Sequence, residues 1–193
     1  MTGGPSSENE LIRRARDGDE EAFAQLVLLH ADRVQGALRR FGLDASEADE
    51  VAQEVFLRAW RGLPRFEGRA QLSTWLYRIA FNEAQRRLAR RPPPRAQAEP
   101  DRDDPIVSLP ESPNLGPEAQ TLDHEFEQTL ERALEALPME WRAAVVLRDI
   151  EGLSTHDAAE IVGIGEAAFK SRLHRGRMQL RALLEPYLQL EES

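Results

Sequence analysis

The 193-residue sequence contains no cysteine, which removes disulfides, thiol nucleophiles and cysteine-ligated zinc together and matches a reducing cytoplasm. No apolar run approaches the roughly 20 residues that a membrane-spanning helix requires. The opening MTGGPSSENE lacks the basic-then-apolar order of a secretion signal. A cytoplasmic location without membrane insertion is therefore expected. Aromatic residues are scarce at 6% and charged ones abundant at 31%, a balance that suits small helical bundles better than one large core. No pair of strand-like segments with hairpin turn chemistry occurs, so the expected fold class is all-α. The four histidines, His30, His124, His156 and His174, lie too far apart to suggest a local metal motif. A glycine-rich phosphate loop is also missing. No cofactor, metal site or catalytic chemistry is expected.

What the sequence does contain begins with a divider. The segment RPPPRAQAEPDRDDPIVSLPESPNLGP, Arg91 to Pro117, forbids a continuous helix through its prolines. Its acids and few large apolar residues argue against a core, apart from a small apolar knot at Ile106, Val107 and Leu109. Both flanks have helical periodicity. Two small helical domains, 1–91 and 121–193, are expected, joined by a proline-rich acidic linker over 92–120.

Net charge is −9, which is unusual for a chain that binds DNA unaided. Residues 1–91 hold 15 arginines against 14 acids, 92–120 hold 2 against 6, and 121–193 hold 8 basic residues against 14 acids. Within 166–181, however, five basic residues face only Glu166. Non-specific DNA affinity grows with the number of phosphates neutralised, so basic islands on an acidic body predict poor binding to free DNA. Another molecule should deliver the chain to it.

The basic island lies in GLSTHDAAEIVGIGEAAFKSRLHRGRMQL, Gly152 to Leu180. Ser154 with Asp157 three residues on predicts a capping box, and Gly163 predicts a left-handed helix end. Phe169, Leu173, Gly176, Leu180 and Leu184 then form one buried stripe. Lys170, Ser171, Arg172, His174, Arg175 and Arg177 line a donor-rich outer face. Two short helices around a tight turn, the second presenting donors, is the pattern that reads a major groove. A merely solvated basic helix is the alternative.

Ahead of the linker, a helix from about Glu8 to Arg16 breaks at Asp17-Gly18. A second carries Phe23, Leu26, Val27, Val34, Leu38 and Phe41 and ends at Gly42. A third starts near Ser46 and buries Val51, Val55, Phe56, Ala59, Trp60 and Leu63. Its other side carries Asp49, Glu50, Gln53, Glu54 and Arg58, either a solvated face or a surface that docks a basic partner around an apolar centre. A fourth helix, with Ser73 as expected N-cap, buries Leu76, Ile79, Ala80, Ala84 and Leu88. Trp75, Arg78, Asn82 and Arg86 recur on a different face. Aromatic, amide and guanidinium groups together stack unpaired bases and hold a strand's phosphates. The loop Phe66 to Ser73, with Gly68 and Arg69, is able to wrap a flipped base. Core anchoring is the other reading of Trp75. After the linker, a helix from about Leu122 to Ala136 precedes another with Pro138 in its first turn.

These residues resemble a known family, the bacterial sigma-70 initiation factors of the extracytoplasmic-function group. DEVAQEVFLRAWRGLPRFEG, Asp49 to Gly68, is similar to the family's core-polymerase-binding helix. STWLYRIAFNEAQRRLAR, Ser73 to Arg90, is similar to the helix that melts and reads the minus-ten element. LPMEWRAAVVLRDIEGLS leads into a helix-turn-helix that resembles the minus-35 reader, with KSRLHRGR, Lys170 to Arg177, as its most recognisable string. The chain departs from the pattern at Ala167-Ala168, where a Gly-Thr-like pair is common, at Gly165, where a better N-cap is common, and at Phe169, which replaces an aliphatic.

The resemblance implies a factor that binds core RNA polymerase and directs promoter-specific initiation without covalent chemistry of its own. It implies that Asp49, Gln53, Glu54 and Phe56 face the polymerase. Gly68, Arg69, Ser73, Trp75, Arg78, Asn82 and Arg86 would open and read minus-ten DNA. Lys170, Ser171, Arg172, His174, Arg175 and Arg177 would meet minus-35 DNA. Asp101, Asp103 and Asp104 of the linker would thread near the polymerase cleft, and an anti-sigma factor is an implied partner. The competing expectations are a free-standing helix-turn-helix regulator and a helical adaptor that binds polymerase.

Overall fold

The computed structural model describes residues 7–91 and 122–188. The linker expected at 92–120, with Asp101, Asp103 and Asp104, lies outside the described residues. Every regular element among the described residues is helical.

Four helices form the N-terminal half. The first, α1 (Glu8–Arg16), is capped by Ser7, with acids in its first turn and arginines in its last, the charge order that complements a helix dipole. Gly18 at φ +92 turns the chain, and Asp19 caps α2 (Glu20–Arg40) by accepting from the Ala22 amide at 3.0 Å. The α3 helix (Ala45–Gly62) opens on a complete capping box between Asp44 and Glu47, two residues before the expected start. A 3-10 turn, Leu63–Arg65, leads through the loop to α4 (Leu72–Ala89). Ser73, expected as the cap, lies inside this helix. The cap position is Gln71, which makes no side-chain bond. Leu72 is buried, so core packing takes over the role that a cap would play.

These helices close around Leu26, Val34, Leu38, Phe41, Val55, Leu63, Leu76, Tyr77 and Phe81. Phe41 and Phe81 meet edge-on with centroids 5.6 Å apart. Ile79 and Leu88, expected in the α4 stripe, pack against this core half-buried, whereas Tyr77 and Phe81 lie inside it. His30 is also buried and lies 3.2 Å from Glu8, tying α2 to α1.

The C-terminal half begins with α5 (Leu122–Glu135). Pro138 has extended ψ and precedes α6 (Met139–Val145) as its cap rather than occupying the first turn. The helix then widens into a π-turn, Val146–Ile150, which the sequence pattern did not indicate. Ser154 caps α7 (Thr155–Val162), accepting from the Asp157 amide at 3.0 Å. The expected box is only half formed: the Asp157 carboxylate accepts from the Ser154 hydroxyl at 2.6 Å. Gly163 ends α7 in the left-handed region at φ +76, as expected.

The last helix, α8 (Glu166–Leu188), buries Phe169 and Leu173, each worth about 1.5–3 kcal/mol of apolar transfer. At Gly176 it passes so close to α6 that an added Cβ would stand 2.8 Å from a Val145 methyl and 3.0 Å from the Trp141 carbonyl. The two halves also touch one another, α4 packing on α7 and α2 on α5.

Candidate nucleic-acid and protein interfaces

Helices α2 and α3 leave an open groove of about 760 Å³ between them. Phe23 and Trp60, with ring centroids 4.9 Å apart, form its apolar floor together with Val27, Phe56 and Leu57. Asp49 and Gln53 stand on its rim, and Asp49 accepts from the Gln35 amide at 3.0 Å. Gln53 and Glu54 are exposed. Phe23, Val27, Phe56 and Trp60, all expected in the core, are only half-buried. Leu28, Leu29 and Leu57 are exposed large apolar residues that sequence reasoning passed over, with Leu28 at 80%. Their signal was the run LVLL at 26–29, since a helix buries one face and cannot hide four consecutive apolar residues.

The second face runs along α4. Trp75 is half-buried, its ring 5.1 Å from that of Phe66 and lying over Gly62, where an added Cβ would come within 3.0 Å. It is therefore anchored at one edge and open at the other. Further along, Arg78, Asn82 and Arg86 are exposed. Arg86 pairs with Glu83 at 2.6 Å, a contact Glu83 shares with Arg58 at 2.9 Å. Arg78 reaches Glu160 of α7 at 2.8 Å. Arg87 turns back to Glu47 and Glu50 of α3. In the preceding loop Gly68 adopts φ +72, and Arg69 pairs with Glu67 at 2.6 Å in full view of solvent.

The third face belongs to α8, and here the expected donors divide. Arg177 donates twice to Asp149, at 2.8 and 2.6 Å, and this carboxylate raises its pKa. Arg172 is half-buried and leans 3.2 Å from Glu140 of α6. Lys170 lies 3.9 Å from Glu166. Ser171, His174 and Arg175 are exposed and make no polar contact among the described residues. The expected juxtaposition of Arg172 and Arg175 is thus replaced by one tethered and one untethered arginine.

Sequence reasoning missed Arg142 altogether. This side chain on α6 donates to the Phe41 carbonyl at 3.3 Å and to the Leu137 carbonyl at 3.0 Å, and also to Glu135 O. No periodicity marks a residue whose partners are carbonyls at the ends of other helices. Among the described residues no group of three or more His, Asp or Glu side chains is placed to hold a metal ion. No helix there is long and apolar enough to cross a membrane.

Comparison with known proteins agrees with these faces. Residues 26–92 match the family described as Sigma-70 region 2, and residues 127–180 match Sigma-70, region 4. The chain is 37% identical over 188 residues to the RNA polymerase sigma-H factor of Pseudomonas aeruginosa, covering 94% of this chain and 95% of that protein. It is 33% identical over 183 residues to the ECF RNA polymerase sigma-E factor of Escherichia coli K12, covering 92% and 94%. Over 176 residues it is 31% identical to the ECF factor SigW of Bacillus subtilis, covering 90% and 94%. Among solved structures, CnrH in complex with the cytosolic domain of CnrY matches with a TM-score of 0.65 at 27% identity, covering 94% of this chain and 99% of that one. Two matched regions in order, near-complete coverage by relatives, and the all-helical fold lead to one assignment. The chain belongs to the sigma-70 family of RNA polymerase sigma factors, in its extracytoplasmic-function group.

Proposed function

We propose that the three faces divide the work of a sigma factor, which binds core RNA polymerase and directs it to promoters. The α2–α3 groove docks a helical, basic element of the polymerase, with Phe56 contributing apolar contact and Asp49, Gln53 and Glu54 the polar rim. On α4, the open edge of Trp75 stacks on unpaired minus-ten bases, Asn82 reads a base edge, and Arg78 and Arg86 hold phosphates. The Gly68–Ser73 loop, with Arg69, closes around the displaced strand. On α8, Lys170, Ser171, Arg172, His174, Arg175 and Arg177 meet the minus-35 duplex, and the untethered Arg175 is the principal base reader.

The observation that carries this reading is α8 itself. Its buried stripe fixes the helix on α6 and α7 while Ser171, His174 and Arg175 project unpaired into solvent. No step requires covalent chemistry, so the factor acts by binding alone. It works in the cytoplasm beside the polymerase. CnrH is described in complex with the cytosolic domain of CnrY, and we assign this chain an anti-sigma partner of the same kind.

A gel shift separates this reading from a free-standing regulator. With a promoter fragment, the chain alone is expected to give no specific shift, and addition of core polymerase to restore one. A specific shift by the chain alone, on a palindromic site, would favour a dimeric helix-turn-helix regulator. Capture of core polymerase without any promoter-specific shift would favour an adaptor.

A further inference from the structure

The contacts between the two halves converge on residues that neither half needs for its own core. Glu151 follows the π-turn, and its side chain is only 5% exposed. It accepts from the buried Tyr77 hydroxyl of α4, and its second oxygen lies 3.5 Å from Arg40 of α2. A carboxylate of the C-terminal half is thus enclosed by a phenol and a guanidinium of the N-terminal half.

Arg142 forms a second fastening. It crosses to the Phe41 carbonyl at the C-terminus of α2 while also holding carbonyls at the end of α5. A cation there complements the partial negative charge of both helix ends. Gly42 makes room for it, since a Cβ at that position would collide with the Arg142 guanidinium. Arg39 with Glu131 at 3.3 Å, and Arg78 with Glu160 at 2.8 Å, complete the seam. Four of these contacts set an arginine or tyrosine of the N-terminal half against a carboxylate of the acidic C-terminal half.

Arg78 lies on the face assigned to minus-ten DNA, and Glu160 precedes Lys170 of the recognition helix by ten residues. Ten residues span at most about 36 Å even when fully extended. The two promoter elements, as their names state, lie about 25 base pairs apart, which is about 85 Å of duplex at 3.4 Å per pair. The closed arrangement therefore cannot engage both elements, and it occupies Arg78.

We propose that these contacts form an autoinhibitory latch. Glu151 between Tyr77 and Arg40, Arg142 on the end of α2, and Glu160 on Arg78 hold the free chain closed until core polymerase separates the halves. This rests on the sigma-factor reading for what the closed state prevents.

The absence of native cysteine allows dyes to be attached at Asp17→Cys and Glu185→Cys, exposed positions in opposite halves. In the free chain, energy transfer should report one closed distance. Glu151→Ala combined with Glu160→Ala should shift it to that of an open chain, with helical content unchanged by circular dichroism. Tyr77→Phe, which keeps the ring in the core and removes only the donor, should shift it part of the way. Core polymerase added to the parent should bring its transfer to the value of the double variant. Equal transfer in the free parent and both folded variants would overturn the latch, as would parent transfer that stays unchanged in a formed complex with core. If the chain fails to bind core at all, the sigma-factor reading fails, and the latch is still decided by the free-chain comparison.

Discussion

Arg172, Arg175 and Arg177 occupy six residues of one helix and have three different surroundings. Arg177 is engaged by Asp149 through two bonds and Arg172 leans on Glu140, whereas Arg175 is free of partners. A bidentate arginine–guanine contact is worth about 1–3 kcal/mol of discrimination, whereas a phosphate contact weakens all sequences alike. Arg175→Ala should therefore relax minus-35 preference on a randomised minus-35 library with reconstituted holoenzyme. Arg177→Ala should lower occupancy of every sequence by a similar factor. The reverse pattern would move the reading position to Arg177. At Gly176 the limit is space. Gly176→Ala should destabilise the C-terminal half by about 1–3 kcal/mol, since overpacking forces α8 away from α6. Denaturant unfolding checks it, and a loss under 0.5 kcal/mol would show that Val145 yields freely. Sequence gave no access to these distinctions. It placed six donors on one face, but which of them an acid from α6 or the π-turn would claim depends on tertiary approach.

At the scale of elements, boundaries set by local chemistry were legible and boundaries set by packing were not. Gly163 ends α7 in the left-handed conformation and Ser154 starts it, both through bonds formed within a few residues. By contrast, α4 starts ahead of Ser73 because Leu72 is drawn into the core. The π-turn at Val146–Ile150 lies in an unbroken apolar run, AAVVL, that gives no local cue. The groove floor was misread as core because Phe23, Phe56 and Trp60 obey helical spacing whether a partner helix or an open groove faces them. That groove carries an expectation of its own. Gln53→Ala with Glu54→Ala should abolish co-elution with core polymerase while thermal melting stays put, since exposed substitutions usually change stability by under about 0.5 kcal/mol. A matching drop in melting temperature would make the rim structural. On α4, Trp75→Ala and Asn82→Ala should both slow open-complex formation with the closed complex intact. A premelted promoter should rescue Trp75→Ala more than Asn82→Ala, because stacking helps to open the duplex whereas base reading persists after opening. Equal rescue would remove that division.

For the molecule as a whole, charge and architecture point the same way. An acidic chain carrying one compact basic face is poorly suited to find DNA by itself, and its two halves meet through arginines and a tyrosine of one and carboxylates of the other. The division into two helical halves was readable from proline and periodicity. Their contact was not, because Arg142, Tyr77 and Glu151 belong to no motif and are far apart in sequence. In such a chain promoter recognition belongs to the complex with polymerase. The direct test is transcription in vitro from genomic DNA with purified core polymerase, followed by sequencing of transcript start sites. The account predicts discrete starts that require both the chain and core and share two upstream elements spaced as minus-ten and minus-35. Starts that are unchanged when the chain is omitted would contradict it.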